Sequence, residues 1–310
     1  MKSPVKIGTR GSRLALYQAE LVRAKLKESF PSVEFELVKI RTKGDQVRRA
    51  DLKSIGPGIF TREIEAGLLN QSIDLAVHSA KDLASLLPGG LEIGAVLIRE
   101  DPRDCLVSTN QLKLGELKQG ARIGTSSLRR KAQLKRLRSD LEISDMRGNV
   151  ETRLRKIDSG EYDGLVIAYA GLFRLGYAEK ISEIFEETDM LPQAGQGAIA
   201  VQCRSGDADI LKDLQAVNDQ PTFVRVSAER SFLRRLEGGC QLPVGVSSKI
   251  EEGRLILTGG IFSPDGDDEA TESISGLFSD GDRLGTELAE ALLRKGGKAI
   301  LEEIRNVGTT

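Results

Sequence analysis

The sequence predicts an α/β protein, with two lobes built on open sheets and a small C-terminal α+β domain. Three observations carry that expectation. Short β-branched runs alternate with amphipathic helical stretches through the first two-thirds of the 310 residues. Two polar, turn-rich segments interrupt the alternation, and beyond Thr222 the pattern changes to consecutive strands. Strands separated by helical stretches point to open sheets with crossover connections.

The first strand is expected at 5–8. A helix over 12–28 follows, with Leu14, Ala15, Ala19, Val22 and Leu26 on one face. Further strands are expected at 35–40, 73–77, 93–98, 141–144 and 164–168, with helices at about 60–70, 126–138, 150–158 and 172–187. Arg99-Glu100-Asp101-Pro102-Arg103 predicts a crossing between lobes, because the stretch is polar and contains proline. A second crossing is predicted at Leu191-Pro192-Gln193-Ala194-Gly195-Gln196-Gly197, after which 198–203 forms a strand returning to the first lobe. Two crossings make a hinge and a cleft, an arrangement suited to ligand capture by closure. The rest predicts a helix at 222–237, strands at 244–250, 254–262 and 271–278, and a closing helix at about 281–304. The expected domains are 1–98 with 198–217, then 103–192, then 221–310. No internal sequence repeat or low-complexity segment is visible.

Composition excludes several classes. The 45 basic residues are matched by 46 acidic ones, which argues against a nucleic-acid binder and leaves anion sites to local clusters. Residues 1–13 hold four basic residues and no apolar core, so no signal peptide is expected and the cytoplasm is the default location. No run approaches the length of a membrane-spanning helix. Cys105, Cys203 and Cys240 are far apart, which argues against a disulfide framework and against zinc. With His78 the single histidine, chemistry must fall to Asp, Glu, Lys, Arg or Cys.

Nine arginines lie between positions 122 and 174: Arg122, Arg129, Arg130, Arg136, Arg138, Arg147, Arg153, Arg155 and Arg174. Two groups sit where a strand turns into a helix. Gly124-Thr125-Ser126-Ser127 leads into Leu128-Arg129-Arg130, and Arg147-Gly148-Asn149 leads into a first turn holding Arg153. A helix N-terminus offers free N–H donors and a positive dipole end, and guanidinium forks beside it match carboxylate or phosphate. These turns also read as ordinary capped helix starts, and alone they do not name the anion. Strand 73–77 delivers His78, Ser79, Lys81 and Asp82 at its C-terminal end, where open α/β sheets bind ligands. Cys240 follows Gly238-Gly239 and precedes Pro243, which is loop composition that lets a bulky group approach the sulfur; a small buried hydrophobe is the alternative.

Taken together, these segments resemble the hydroxymethylbilane synthase (porphobilinogen deaminase) family over essentially the whole chain. The matching stretches are Thr9-Arg10-Gly11-Ser12, Ala76-Val77-His78-Ser79 with Lys81-Asp82, Glu100-Asp101-Pro102-Arg103-Asp104, Gly124 to Arg130, Arg147-Gly148-Asn149-Val150 with Thr152-Arg153, Ala170-Gly171-Leu172 with Arg174-Leu175-Gly176, Gly195-Gln196-Gly197-Ala198, and Glu237-Gly238-Gly239-Cys240. The resemblance implies lobes like those of periplasmic binding proteins, and a dipyrromethane cofactor joined to Cys240 by a thioether. On that primer four porphobilinogens would be added, with loss of ammonia, by a cytoplasmic monomer. It implies Asp82 as the catalytic residue, with Lys81, Ser79, Thr125, Ser127, Arg129 and Arg130 around the cofactor. Arg10, Ser12, Gln18, Lys53, Phe60, Arg147, Arg153 and Arg174 would hold substrate, whose acetate and propionate groups supply a reason for so many arginines. Two departures stand out. The family's Gly-Gly-Lys-Gly before a phenylalanine is here Ile55-Gly56-Pro57-Gly58-Ile59-Phe60, leaving Lys53 as the basic residue of that segment, and Ala84 stands where proline is common. Two other readings remain: a non-catalytic two-lobed anion binder, and a phosphate-handling transferase, the latter weakened by the absence of a Gly-x-x-x-x-Gly-Lys-Ser/Thr loop.

Overall fold

A computed structural model describes residues 3–46, 58–236 and 242–307. The chain runs through β1 (Val5–Thr9), α1 (Arg13–Ser29), β2 (Phe35–Lys39), α2 (Lys43–Gln46), α3 (Arg62–Leu69), β3 (Leu75–Ser79) and β4 (Leu91–Val96). It continues with β5 (Asp104–Ser108), β6 (Arg122–Gly124), α4 (Leu128–Leu137), β7 (Glu142–Ser144), α5 (Val150–Asp158), β8 (Gly164–Ala168), α6 (Tyr169–Arg174) and β9 (Glu183–Ile184). Then come β10 (Ile199–Arg204), α7 (Ala208–Leu214), α8 (Gln220–Arg235), β11 (Val244–Glu251), β12 (Arg254–Phe262), β13 (Glu269–Leu277), α9 (Gly281–Leu292) and α10 (Lys298–Val307). Two compact units result, Met1–Glu100 with Ala198–Val226, and Asp101–Gly197 with Ser227–Thr310.

The sheet of the first unit has the order β2-β1-β3-β10-β4. β1 runs parallel to β2 and β3, while β10 is antiparallel to both of its neighbours. The second unit repeats this layout as β7-β6-β8-β5-β9, with β6 parallel to β7 and β8, and β5 antiparallel to β8 and β9. In each sheet the antiparallel fourth strand is the first strand after a unit boundary. The predicted crossings therefore fall where expected, and 198–203 does return to the first sheet. A third sheet, β11-β12-β13, is wholly antiparallel.

Helix periodicity explains what covers the sheets. α1 buries Ala19, Val22 and Leu26 against Val5, Ile7, Val77 and Val201. α3 buries Ile64 and Leu68 with Ala76 and Leu91 in a separate cluster. Each fully buried aliphatic side chain contributes about 1.5–3 kcal/mol. β3 is buried from Leu75 to His78, so polar groups emerge only at its C-terminal end.

Several expected boundaries move, for local reasons. β3 lies two residues later than predicted. Asp74 takes the Lys6 N–H on its carboxylate and donates its own N–H to Lys6 O, so regular pairing with β1 starts at Leu75. β4 lies earlier than 93–98, because Leu91 and Glu92 pair with Arg204 and Cys203 while Ile98 is 70% exposed. The helix expected over 172–187 is instead α6, a turn and β9, because the chain turns at Gly176, where φ is 77°. The closing helix is split into α9 and α10 by a non-helical Lys295-Gly296. β5 and α7 went unrecognised in the sequence; β5 opens on a charged residue, Asp104, that disguises a wholly buried strand.

Candidate active site

In the first unit the sequence-predicted residues gather around the C-terminal ends of β1 and β3. Ser12 caps α1, its Oγ accepting the Ala15 N–H at 3.3 Å. One residue past β1, the Arg10 guanidinium lies 4.2 Å from the centroid of the Phe60 ring, a cation–π distance. Gln18 is buried, and its amide meets the hydroxyl of Ser79, with Nε2 at 2.9 Å and Oε1 at 3.1 Å from Oγ. Ser79 is the last residue of β3, and a single 3₁₀ turn, Ala80–Asp82, then carries Lys81 and Asp82. The Ala80 N–H donates to Ala198 O at 3.0 Å and ties that turn to the residue before β10. Lys81 and Asp82 are half-buried. Lys53 lies outside the described residues.

In the second unit both predicted strand-to-helix turns are present. Ser127 caps α4, accepting the Arg130 N–H at 3.4 Å, and buried Thr125 accepts the Ser127 N–H at 3.3 Å. Asn149 caps α5, its Oδ1 accepting the Thr152 N–H at 2.9 Å. Gly148 makes the preceding bend at φ 118°, a conformation that a β-carbon would strain. Arg174, at the end of α6, donates to Gly197 O at 2.6 Å. Cys240 lies outside the described residues.

The electrostatics divide these arginines into two sets. Arg129 and Arg130 are buried on Asp104, which is itself 0% exposed. Arg129 Nη1 donates to Asp104 Oδ2 and to Leu191 O, both at 2.6 Å. Arg130 donates through Nε at 3.0 Å and Nη2 at 2.7 Å to Oδ1, the same oxygen that accepts Gln196 Nε2 at 2.9 Å. Burial pushes the Asp104 carboxyl up, but the two guanidiniums outweigh it and hold the group well below the usual carboxylate range.

Arg147 and Arg153 differ. Arg147 Nη1 is buried and has no hydrogen-bond partner among the described residues. Burial pushes the Arg153 guanidinium down to about 10, the charge of Arg130 adding to the effect, while its Nε donates to Gly148 O at 2.8 Å. No carboxylate contributes to that shift. Both side chains are half-buried, and a partly desolvated guanidinium favours an anionic partner.

Asp104 and Gln196 were quoted within motifs but assigned no role by the sequence. The available signal was a lone acid at the head of the apolar run Asp104-Cys105-Leu106-Val107, since a buried acid needs a buried cation. Asp104→Ala strands two guanidiniums and should lower stability by about 3–5 kcal/mol, a loss that chemical denaturation would measure. Because the folded-state pKa is depressed, this contribution is fully present above about pH 4 and is lost as pH falls towards the folded value. An Asp104→Ala protein as stable as the parent at neutral pH would show that the triad is not structural.

Among the described residues there is no cluster of metal-binding side chains and no helix long and apolar enough to cross a membrane. Comparison with known proteins gives a consistent answer. The family model "Porphobilinogen deaminase, dipyromethane cofactor binding domain" matches residues 5–212, and "Porphobilinogen deaminase, C-terminal domain" matches 223–294. The porphobilinogen deaminase of Desulforudis audaxviator is 48% identical over 98% of this chain and 99% of that one. That of Syntrophomonas wolfei is 49% identical over 97% and 99%, and that of a Nostoc species 46% identical over 97% and 94%. Among solved structures, a putative methionine-binding lipoprotein of Bacillus subtilis aligns at 13% identity and TM-score 0.43, over 71% of this chain and 93% of that one, too distant to carry weight.

Proposed function

The chain belongs to the porphobilinogen deaminase family, and on that premise we propose which of its residues perform the family's reaction. The enzyme condenses four porphobilinogen molecules stepwise, releasing ammonia, on a covalently bound dipyrromethane primer to give linear hydroxymethylbilane. The observation that carries the residue assignment is the buried Nη1 of Arg147, with Arg153 beside the same Gly148 turn. Each pyrrole of substrate or primer brings an acetate and a propionate, and these anions fit cations that pair with no carboxylate among the described residues.

We assign the thioether to Cys240. Lys81, Ser79, Thr125, Ser127, Arg129 and Arg130 hold the primer, and Arg10, Ser12, Gln18, Lys53, Phe60, Arg147, Arg153 and Arg174 hold the incoming substrate. When bound, the dipyrromethane supplies the nucleophilic pyrrole carbon to which the first substrate is joined. Two contacts support a finer reading. Gln18 acts by holding Ser79, and Ser12 by fixing the start of α1 beside Arg10. Asp82 acts twice on porphobilinogen. Protonated, it donates to the leaving amine; ionised, it stabilises the positive charge that spreads over the pyrrole as ammonia departs. The chain works as a cytoplasmic monomer of three domains, 1–98 with 198–217, 103–192 and 221–310.

Arginine substitutions should therefore fail at different stages. Arg147→Leu or Arg153→Leu should leave a primed enzyme that stalls in later additions, each lost charge-assisted contact being worth about 1.5–3 kcal/mol. Arg129→Leu and Arg130→Leu should impair loading of the primer, and also stability, because Asp104 loses a partner. Intact-mass spectra of enzyme-bound intermediates would resolve the stages. Four variants with the parent's intermediate distribution would overturn the assignment.

A further inference from the structure

A line of buried polar side chains crosses the first unit behind β3, on residues given no role above. Thr61, Glu65, Gln202 and His78 are all buried, at 1%, 5%, 0% and 5% exposure. Thr61 Oγ1 donates to Glu65 Oε2 at 3.2 Å, Gln202 Nε2 donates to Glu65 Oε1 at 3.3 Å, and Gln202 Oε1 lies 3.1 Å from His78 Nε2. Both Glu65 oxygens accept, which turns the Gln202 amide nitrogen towards Glu65 and its oxygen towards His78. His78 then carries its proton on Nε2. Burial, with the charge of Arg10, pushes the imidazole down to about 4 against the opposing Gln202 bond, so the ring is neutral at physiological pH.

The placement of this line matters more than its energy. In the antiparallel register His78 pairs with Ala200 and Ala76 with Gln202, so His78 and Gln202 are diagonal neighbours on one face. The next side chain, Ser79, points to the opposite face and is held there by Gln18. The last two residues of β3 are thus fixed by polar contacts on both faces, immediately before the turn bearing Lys81 and Asp82. The other end of the line is Thr61, the N-terminal neighbour of α3, directly after the Phe60 that stacks under Arg10. Apolar side chains would fill these positions without leaving polar groups to satisfy. A glutamine in the middle of β10 makes sense as a coupling between β3 and α3.

We propose that Gln202 is a positioning residue for Asp82: it joins Glu65 at the start of α3 to His78 on β3, and so fixes the turn that carries the acid. The proposal rests on the assignment of Asp82 above. Gln202→Met keeps approximate length and removes both polar ends. In the cofactor-loaded enzyme, with cofactor content fixed by intact mass, it should lower kcat about tenfold with KM within about twofold, because small displacements of a reacting group cost rate more than binding. Introduced into Asp82→Asn, the same change should cost little more, since the two act through one group. Exchanging the partners by combining Glu65→Gln with Gln202→Glu rebuilds the line in reverse. The double variant should recover kcat to within about threefold of the parent while Gln202→Glu alone, which sets two carboxylates face to face, does not. A loaded Gln202→Met enzyme with parental kcat, or full additivity with Asp82→Asn, overturns the proposal. If Gln202→Met fails to fold, the exchange decides, and a double variant no faster than the worse single one overturns it as well. Asp82→Asn alone reports separately on the assignment of Asp82.

Discussion

Cys240→Ala is expected to give a folded chain with no covalent cofactor and no turnover. The structure strengthens this expectation by disposing of the other two thiols. Cys105 is wholly buried in β5, its Sγ donating to Ile167 O at 3.4 Å, and burial pushes its pKa far up. Cys203 is equally buried in β10; burial, reinforced by the charges of Glu92 and Asp207, pushes its thiol up to about 12. Thioether formation needs a nucleophilic, accessible sulfur, and neither group is one. Among three cysteines only Cys240, in a glycine-rich stretch, is left to carry the primer. Intact mass of the parent protein should show an addition of two deaminated substrate units, with the modified peptide containing Cys240. An active enzyme with an unmodified Cys240 would sink the assignment, as would an adduct that survives Cys240→Ala.

Asp82→Asn should fail differently. The amide keeps the shape of the side chain but can neither release a proton to the amine nor balance a developing cation. Either function is worth about a hundredfold or more and the two share one carboxyl, so their losses do not simply multiply and kcat should fall by roughly 10²–10⁴. If the proposed arginines hold the substrate carboxylates, KM should change far less. Supplied with a preassembled tetrapyrrole, the variant should still carry the primer, which separates attachment from turnover. Single-turnover release of ammonia measures the chemical step directly. A variant within fivefold of the parent would remove Asp82 from the mechanism.

The site was legible in the sequence where its construction is local. Ser127 and Asn149 lie within three residues of the N–H groups they cap, and both strand-to-helix turns were expected from that spacing. The emergence of polar residues at the end of β3 followed from a buried strand that gives way to Ser79, Lys81 and Asp82. The helix expected over 172–187 failed because amphipathic spacing continues past Gly176, where the backbone reverses. The strand β5 was missed for the opposite reason: the charge of Asp104 breaks an otherwise apolar pattern, and its neutralising partners lie 25 and 26 residues away.

By itself, then, the sequence determined the α/β class, both crossing segments, the caps and the residues able to carry charge or sulfur, all matters of periodicity and nearest neighbours. Tertiary structure alone decided how those charges are used. It buries Arg129 and Arg130 on Asp104 while giving the Nη1 of Arg147 no partner among the described residues, a distinction invisible in a list of arginines. It also sets Gln202 beside His78, 124 residues apart in the chain, by inserting β10 antiparallel next to β3. The physical reason is the same in both cases. A buried polar group must find its partner wherever the sheet order places one, and sheet order is fixed by long-range pairing that leaves no mark in local spacing.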